Sequence, residues 1–296
     1  MENDYIALAE EAINSGNTEL AKSLIPQMDI GSRFFIEALL SVSQSNIDAA
    51  LTTIDQCINA TRNPKSRDPV LEARAKMIRG LARTSIGEIT EGGADLRWAM
   101  DRLSVISEGS DEHGIAILNV AAWHRQQSEI VMSLATHSEI ARESTHSAEI
   151  VAISRQRVAS IHAELQDFST ALRHYWTSWR MAITCGIDAI AEVSCLHILD
   201  IGLTDVNDAT QRLAEQIANA VPKPRSEKST ASINPEDLRE VLEWITPRST
   251  KDLSREHRPD LSLIIEAHNI LRIPIPELLK ENSSSIQDPD VAKLLQ

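Results

Sequence analysis

Apolar residues recur along this chain at spacings of three and four, the period of one helix face: Tyr5, Leu8, Ala9 and Ala12, then Leu20, Leu24 and Ile25 after a polar gap. The gap belongs to a phrase that occurs six times: a small or polar residue, then Asn, Asp or Glu, then three variable residues, then Ala, Gly or Ser. The instances are Gly16-Asn17…Ala21, Ser45-Asn46…Ala50, Gly87-Glu88…Gly92, Ser128-Glu129…Ser133, Gln166-Asp167…Ala171 and Thr204-Asp205…Ala209. Each predicts a tight turn between two helices, followed one helical turn later by a residue small enough for neighbouring helices to touch. Twelve residues before that small position stands another in five instances: Ala9, Ala38, Gly80, Ala121 and Ala159. These predict the close contact of the first helix of each pair with the second; the sixth instance has His197 instead.

The ends of the phrases fall at 21, 50, 92, 133, 171 and 209. Each interval accommodates two antiparallel helices, and a unit this short buries its apolar face only by stacking on its neighbours. The phrases resemble tetratricopeptide repeats over about residues 3–220, with Gln166-Asp167-Phe168-Ser169-Thr170-Ala171-Leu172-Arg173-His174-Tyr175 the best single match. Most of the spacings resemble the longer repeats of kinesin light chains and of the sensor domains of large bacterial transcription activators. The resemblance implies an all-α fold, a right-handed α-solenoid of about six helix-turn-helix repeats, with a concave groove that binds extended peptides.

The composition changes after residue 220. Eight of the eleven prolines lie in 221–296, and no glycine follows Gly202. Residues 221–233 read as a polar, proline-bearing linker, and 234–296 as a small helical region with a weakly ordered tail. Asn234-Pro235-Glu236-Asp237 supplies a helix cap, a first-position proline and acidic first-turn residues, predicting a helix through about Trp244. Further helices are expected at about 260–271 and 275–281. Leu261 to Leu279 resembles the closing helices of phage-repressor-type helix-turn-helix domains, which pack that domain and do not read DNA. Residues 221–296 carry 11 basic against 13 acidic side chains, and Thr246–Pro259 holds no tight turn between two recognition-type helices, so DNA binding is disfavoured.

The whole chain holds 29 basic and 43 acidic residues, a formal charge of −14 that opposes nonspecific attraction to nucleic acid or anionic membrane. No apolar run approaches the roughly 20 residues of a membrane-spanning helix, and the acidic start is unlike a signal peptide, so a cytoplasmic location is the default expectation. Cys57, Cys185 and Cys195 form no CxxC pair and read as buried small apolar residues.

Lys76, Arg79 and Arg83 share one helix face, opposite a face with Ile78, Leu81 and Ala82. If the apolar stripe sets the register, the cations face the groove, where Arg125 and Gln156 of the following repeats extend them. They would then clamp a peptide carboxylate or acidic side chains through bidentate hydrogen bonds. The competing reading is a solvated face paired with Glu72 and its neighbours. Counting back from Gly87-Glu88…Gly92 instead places the cations at core positions, which burial of unpaired charge opposes. None of the nine histidines has a zinc-site spacing, and His162 reads as a satisfied packing residue. The five tryptophans read as packing, since the sequence interleaves no basic residues with them.

No phosphate loop, nucleophile elbow or ordered catalytic constellation appears, and nothing calls for a cofactor or a metal. The expected function is a non-enzymatic scaffold that binds a peptide or protein segment in its groove. The alternative is a regulatory sensor responding to a peptide or small effector.

Overall fold

The computed structural model describes residues 2–140, 145–220, 231–251, 255–281 and 286–295, with side chains from Tyr5 onward. Those residues are all-helical apart from one isolated parallel bridge between Val206 and Ile233. They divide into two compact units, Met1–Ser147 and Ala148–Gln296.

The first unit consists of helix pairs: α1 (Glu2–Asn14) with α2 (Thr18–Leu24), α3 (Ile30–Ser43) with α4 (Ile47–Thr61), α5 (Pro69–Ser85) with α6 (Ile89–Ile106), and α7 (Asp111–Gln126) with α8 (Ile130–His137). First helices also meet first helices, α1 against α3 and α3 against α5. Ile6, Phe35, Ile36, Ile54 and Leu71 belong to the core shared by α1 to α5, and Met77, Leu96, Leu103 and Val120 to the core of α5 to α7. Leu8 and Leu20, expected on the core face, are exposed, because Ile6, Ala9 and Ala12 carry the buried face of α1.

Four turns in this unit and two in the second share one geometry. Gly16, Ser45, Gly87, Ser128, Gln166 and Gly186 all have φ between 58° and 90°. The next residue, Asn17, Asn46, Glu88, Glu129, Asp167 or Ile187, has φ between −78° and −93° and ψ between 61° and 79°. Its N–H donates to the carbonyl five residues back, for example Asn17 to Ala12 at 2.7 Å and Ile187 to Ala182 at 2.9 Å. This left-handed closure satisfies the last carbonyls of one helix while starting the next. The small residue four positions on gives the first intrahelical hydrogen bond, as in Ala50 to Asn46 at 3.0 Å, and lies buried in the first five pairs.

Gly80 and Gly92 show why the partner positions are small. A Cβ on Gly80 would lie 2.8 Å from the Gly92 carbonyl oxygen, and one on Gly92 2.7 Å from that of Gly80. The α5 and α6 backbones therefore touch directly.

The second unit contains α9 (Ala148–Glu164), α10 (Phe168–Cys185), α11 (Asp188–Gly202), α12 (Leu213–Ala218), α13 (Pro235–Ser249), α14 (Pro259–Ile270), α15 (Glu277–Glu281) and α16 (Pro289–Leu294). Here the sixth phrase is corrected. Thr204-Asp205 opens no helix: Ile233 donates to the Asp205 carbonyl at 3.2 Å and Asn207 to the Ile233 carbonyl at 3.0 Å, so the chain bridges to Ile233 at Val206 and then turns, with Ala209 exposed. The turn that continues the pattern is instead Gly186-Ile187, four residues before the buried Ala191.

Asn234 caps α13, accepting from Glu236 N–H at 2.9 Å, and the helix runs past Trp244 to Ser249 with Pro247 inside it. The expected linker lies outside the described residues at 221–230, and Ala231 and Ile233 are buried. Helices on both sides of it share one core, in which Trp176, Trp179, Cys195 and Ile198 pack with Leu238, Leu242, Ile245 and Ile264. Asp237, fully buried, fastens this arrangement by accepting from Arg212 Nε at 2.5 Å and Leu213 N at 2.8 Å. Part of the expected weakly ordered tail, residues 283–285, also lies outside the described set; Val291 beyond it is buried.

Candidate functional site

The basic stripe of α5 is gathered around one acidic side chain of α6. Arg79 donates through Nε to Asp95 Oδ2 at 2.7 Å and through Nη2 to Oδ1 at 2.6 Å, a two-pronged pair, and through Nη1 to Asp55 Oδ1 of α4 at 2.6 Å. Arg83 donates to Asp95 Oδ2 at 2.8 Å and lies 3.5 Å from Glu88 Oε2. Lys76 Nζ sits 3.8 Å above the ring of Trp98. The side chains of Arg79 and Asp95 are only 16% and 8% exposed, whereas Leu81 is 40% exposed. The apolar stripe is therefore not what sets the register. Close packing of Gly80 on Gly92 rotates α5 so that Arg79, beside Gly80, meets Asp95, three residues beyond Gly92. The objection to burying cations assumed they were unpaired, and Asp95 removes it.

The electrostatics follow from this packing. Hydrogen bonding to Asp95 raises the Arg79 guanidinium above its ordinary value, against the opposing effect of burial. Burial lowers Lys76, and Asp95 offsets part of that. Glu72, the expected surface partner, pairs with Arg62 at 2.6 Å instead. Lys76, Arg79 and Arg83 are thus matched within the chain by Asp95, Asp55, Glu88 and an indole face.

Arg125 and Gln156 stand elsewhere. Arg125 occupies the last turn of α7 at the position equivalent to Ile13, Val42 and Thr84. Gln156 lies on α9, in the second unit, where Ile6, Phe35, Met77 and Leu118 occupy the equivalent buried positions of the first. Sequence reasoning missed Asp55 and Asp95. The spacing of Gly80 and Gly92 carried the signal, because it fixes which residues of α5 and α6 face each other.

What remains accessible on the first helices is more apolar. Leu39 and Leu81 each follow the small contact residue of their helix, and Val42 lies three further on from Leu39. Leu39 and Ile78 are half-buried; Val42, Leu81 and, on α7, Ile115 are exposed. Beside them Arg74 lies 4.9 Å over the Phe35 ring and pairs with Glu10 of α1.

Other expectations meet mixed outcomes. Cys57 and Cys195 are buried, and burial raises both thiols, Cys57 to about 12; Cys185 is exposed, since it ends α10 beside the turn. His162 is half-buried and pairs with Asp167 at 3.1 Å. Cations do face the tryptophans in space: Arg97 lies over Trp123, Arg180 over Trp179 and Arg248 over Trp244, besides Lys76 over Trp98. Two of these pairs are local, Trp179 with the next residue and Trp244 with one a helical turn on, so the sequence does set basic residues beside tryptophans; the other two join different helices, and Trp179 is buried. Among the described residues no helix is long and apolar enough to cross a membrane, and no group of three or more histidine, cysteine or carboxylate side chains is placed to hold a metal. No model of a known protein family matches the chain, and no curated protein matches it.

Proposed function

We propose that this protein is a tetratricopeptide-like scaffold that acts by binding rather than catalysis, receiving a segment of another protein on the face formed by its successive first helices. The observation that carries this reading is the recurrence of accessible apolar side chains at equivalent positions of neighbouring helices, Leu39 and Leu81, flanked by Val42, Ile78 and Ile115. Stacked helix pairs with first helices side by side form a solenoid, and its inner face presents such positions as a continuous strip. Apolar side chains left accessible in register, with Arg74 and Glu10 at their edge, suit a partner anchored by apolar residues. Of the stripe that pointed to an acidic partner, Arg79 and Arg83 have carboxylates of their own and Lys76 an indole face, so the proposed partner does not depend on negative charge.

Crosslinking and mass spectrometry on native lysate, with the wild-type chain and with Val42→Glu/Leu81→Glu, test this. Both substitutions fall on exposed positions, so the circular dichroism spectrum stays that of the wild type. Partners captured by the wild type should be lost from the variant. An identical set of captured proteins would remove the strip from the binding surface.

A further inference from the structure

We propose that His113 and His146 form a proton-operated clasp: neutral His113 holds residues 145–147, just ahead of α9, against the first turn of α7, and a proton on its Nδ1 releases them. His113 is buried, 5% exposed, and its Nδ1 accepts from Gly109 N–H at 3.2 Å. That bond fixes the ring, with the lone pair on Nδ1 and the proton of the neutral form on Nε2. His146 Nε2 lies 3.3 Å from the same Nδ1 and is therefore the donor of that contact, with the ring centroids 5.2 Å apart. Gly109 has φ 78°, and a Cβ there would lie 1.9 Å from Thr145 Oγ1. Two consecutive residues, Thr145 and His146, thus rest on Gly109 and His113.

A protonated His113 does not fit this arrangement. Its Nδ1–H would point at two donors, Gly109 N–H and His146 Nε2–H, while its Nε2–H is already buried with no hydrogen-bond partner among the described residues. An imidazolium there would carry two unanswered N–H groups, so it must give up these contacts to reach an acceptor or water. Gly109 stays tied to the cap turn of α7, where Ser110 Oγ accepts from His113 N–H at 3.2 Å. The segment held from 33 residues further along the chain is the part that leaves. A proton taken by His146 keeps the clasp shut, since its Nε2–H still donates, so His113 is the operating group. Burial, then the His146 ring, lower the pKa of His113, with Glu108 opposing; burial also lowers His146, against Asp111 and Glu108. No charged side chain of α6 or α8, the helices packed on α7, acts on His113 among the described residues. The clasp therefore opens below the ordinary histidine range, below about pH 6.5.

NMR of the full chain from pH 7.5 to 5, with circular dichroism following the helices, tests the proposal. At pH 7.5 the ring 15N shifts of His113 should report the Nε2–H tautomer. As the pH falls, the Gly109 amide proton should shift upfield with the same midpoint as the His113 ring, and backbone order parameters at 145–147 should drop from about 0.85 to below about 0.6. H113N places an amide oxygen where Nδ1 stood and cannot take a proton, so its order parameters should hold throughout. An Nδ1–H tautomer at pH 7.5, a segment that stays rigid once His113 is protonated, or a His113 that remains neutral until the helices unfold would each overturn the clasp, as would the same loss of order in a helical H113N. If H113N loses its helicity, H146Q takes its place. It keeps a donor toward Nδ1 but cannot titrate, and a segment there that no longer loosens as His113 is protonated overturns the proposal equally.

Discussion

His124 and Glu129 are joined twice. The Glu129 N–H donates to the His124 carbonyl at 2.9 Å, closing the turn after α7, and His124 Nδ1 lies 2.6 Å from Glu129 Oε2. The same double link connects Arg83 with Glu88, at 3.0 Å and 3.5 Å, and His162 with Asp167, at 2.9 Å and 3.1 Å. The backbone bond brings residue i within reach of the side chain of i+5, so a base and an acid at those positions pair without further help from the fold. In the first two turns the same positions hold Ala12 with Asn17 and Ser41 with Asn46, and only the backbone bond and the asparagine cap remain.

Asp95 is the stability hub of the α5 and α6 pair. Asp95→Ala leaves two guanidiniums without their shared partner and should lower the stability measured by urea unfolding by about 3 kcal/mol. Reversing both cations, Arg79→Glu with Arg83→Glu, faces three carboxylates toward each other and should cost helicity as well as stability. A wild-type unfolding midpoint for Asp95→Ala would contradict the buried pairing.

The contact between Gly80 and Gly92 admits no side chain. Gly92→Ala places a methyl group 2.4 Å from Thr84 Oγ1 and 2.7 Å from the Gly80 carbonyl oxygen, so α5 and α6 must separate. A loss of about 1–3 kcal/mol in chemical denaturation is expected, despite the better helix propensity of alanine.

The left-handed turn positions predict opposite signs at two sites. Ser45 holds φ at 58° in an exposed turn, and Ser45→Gly relieves a left-handed conformation, raising the thermal midpoint by an amount equivalent to about 0.5 kcal/mol once unfolded-state entropy is subtracted. Gly186, at φ 74° with open space around its Cα, should lose about 1 kcal/mol on Gly186→Ala. Equal midpoints for all three proteins would rule out the turn geometry as an energetic factor.

His174 sets a pH dependence. Its folded pKa of about 3 lies below the 6.5 of an unfolded histidine, so unfolding takes up a proton between those values. Its contribution to stability is complete above about pH 6.5 and is lost as pH falls toward 3, with a slope of up to about 1.4 kcal/mol per pH unit. Urea unfolding at pH 7, 6 and 5 should show this decline, and His174→Phe should flatten it. An unchanged slope would mean that other groups carry the acid sensitivity.

The sequence by itself determined the elements and five of the turns, because a left-handed turn residue, a polar cap and a small residue four positions on are local requirements within one stretch of chain. Gly186-Ile187 escaped that reading because Ile187 holds the cap backbone without a capping side chain. Thr204-Asp205 matched the phrase and still opened no helix, since Ile233, far along the chain, pairs with it. The division at Ser147 and the single core from Ala152 to Leu271 were likewise invisible, since both depend on which distant surfaces bury one another. The same holds for the candidate site. Lys76, Arg79 and Arg83 were recognisable as a stripe, yet whether they meet a ligand or Asp95 is decided by the rotation of α5 against α6. That rotation is a property of two glycines in contact, and only the packed structure contains it.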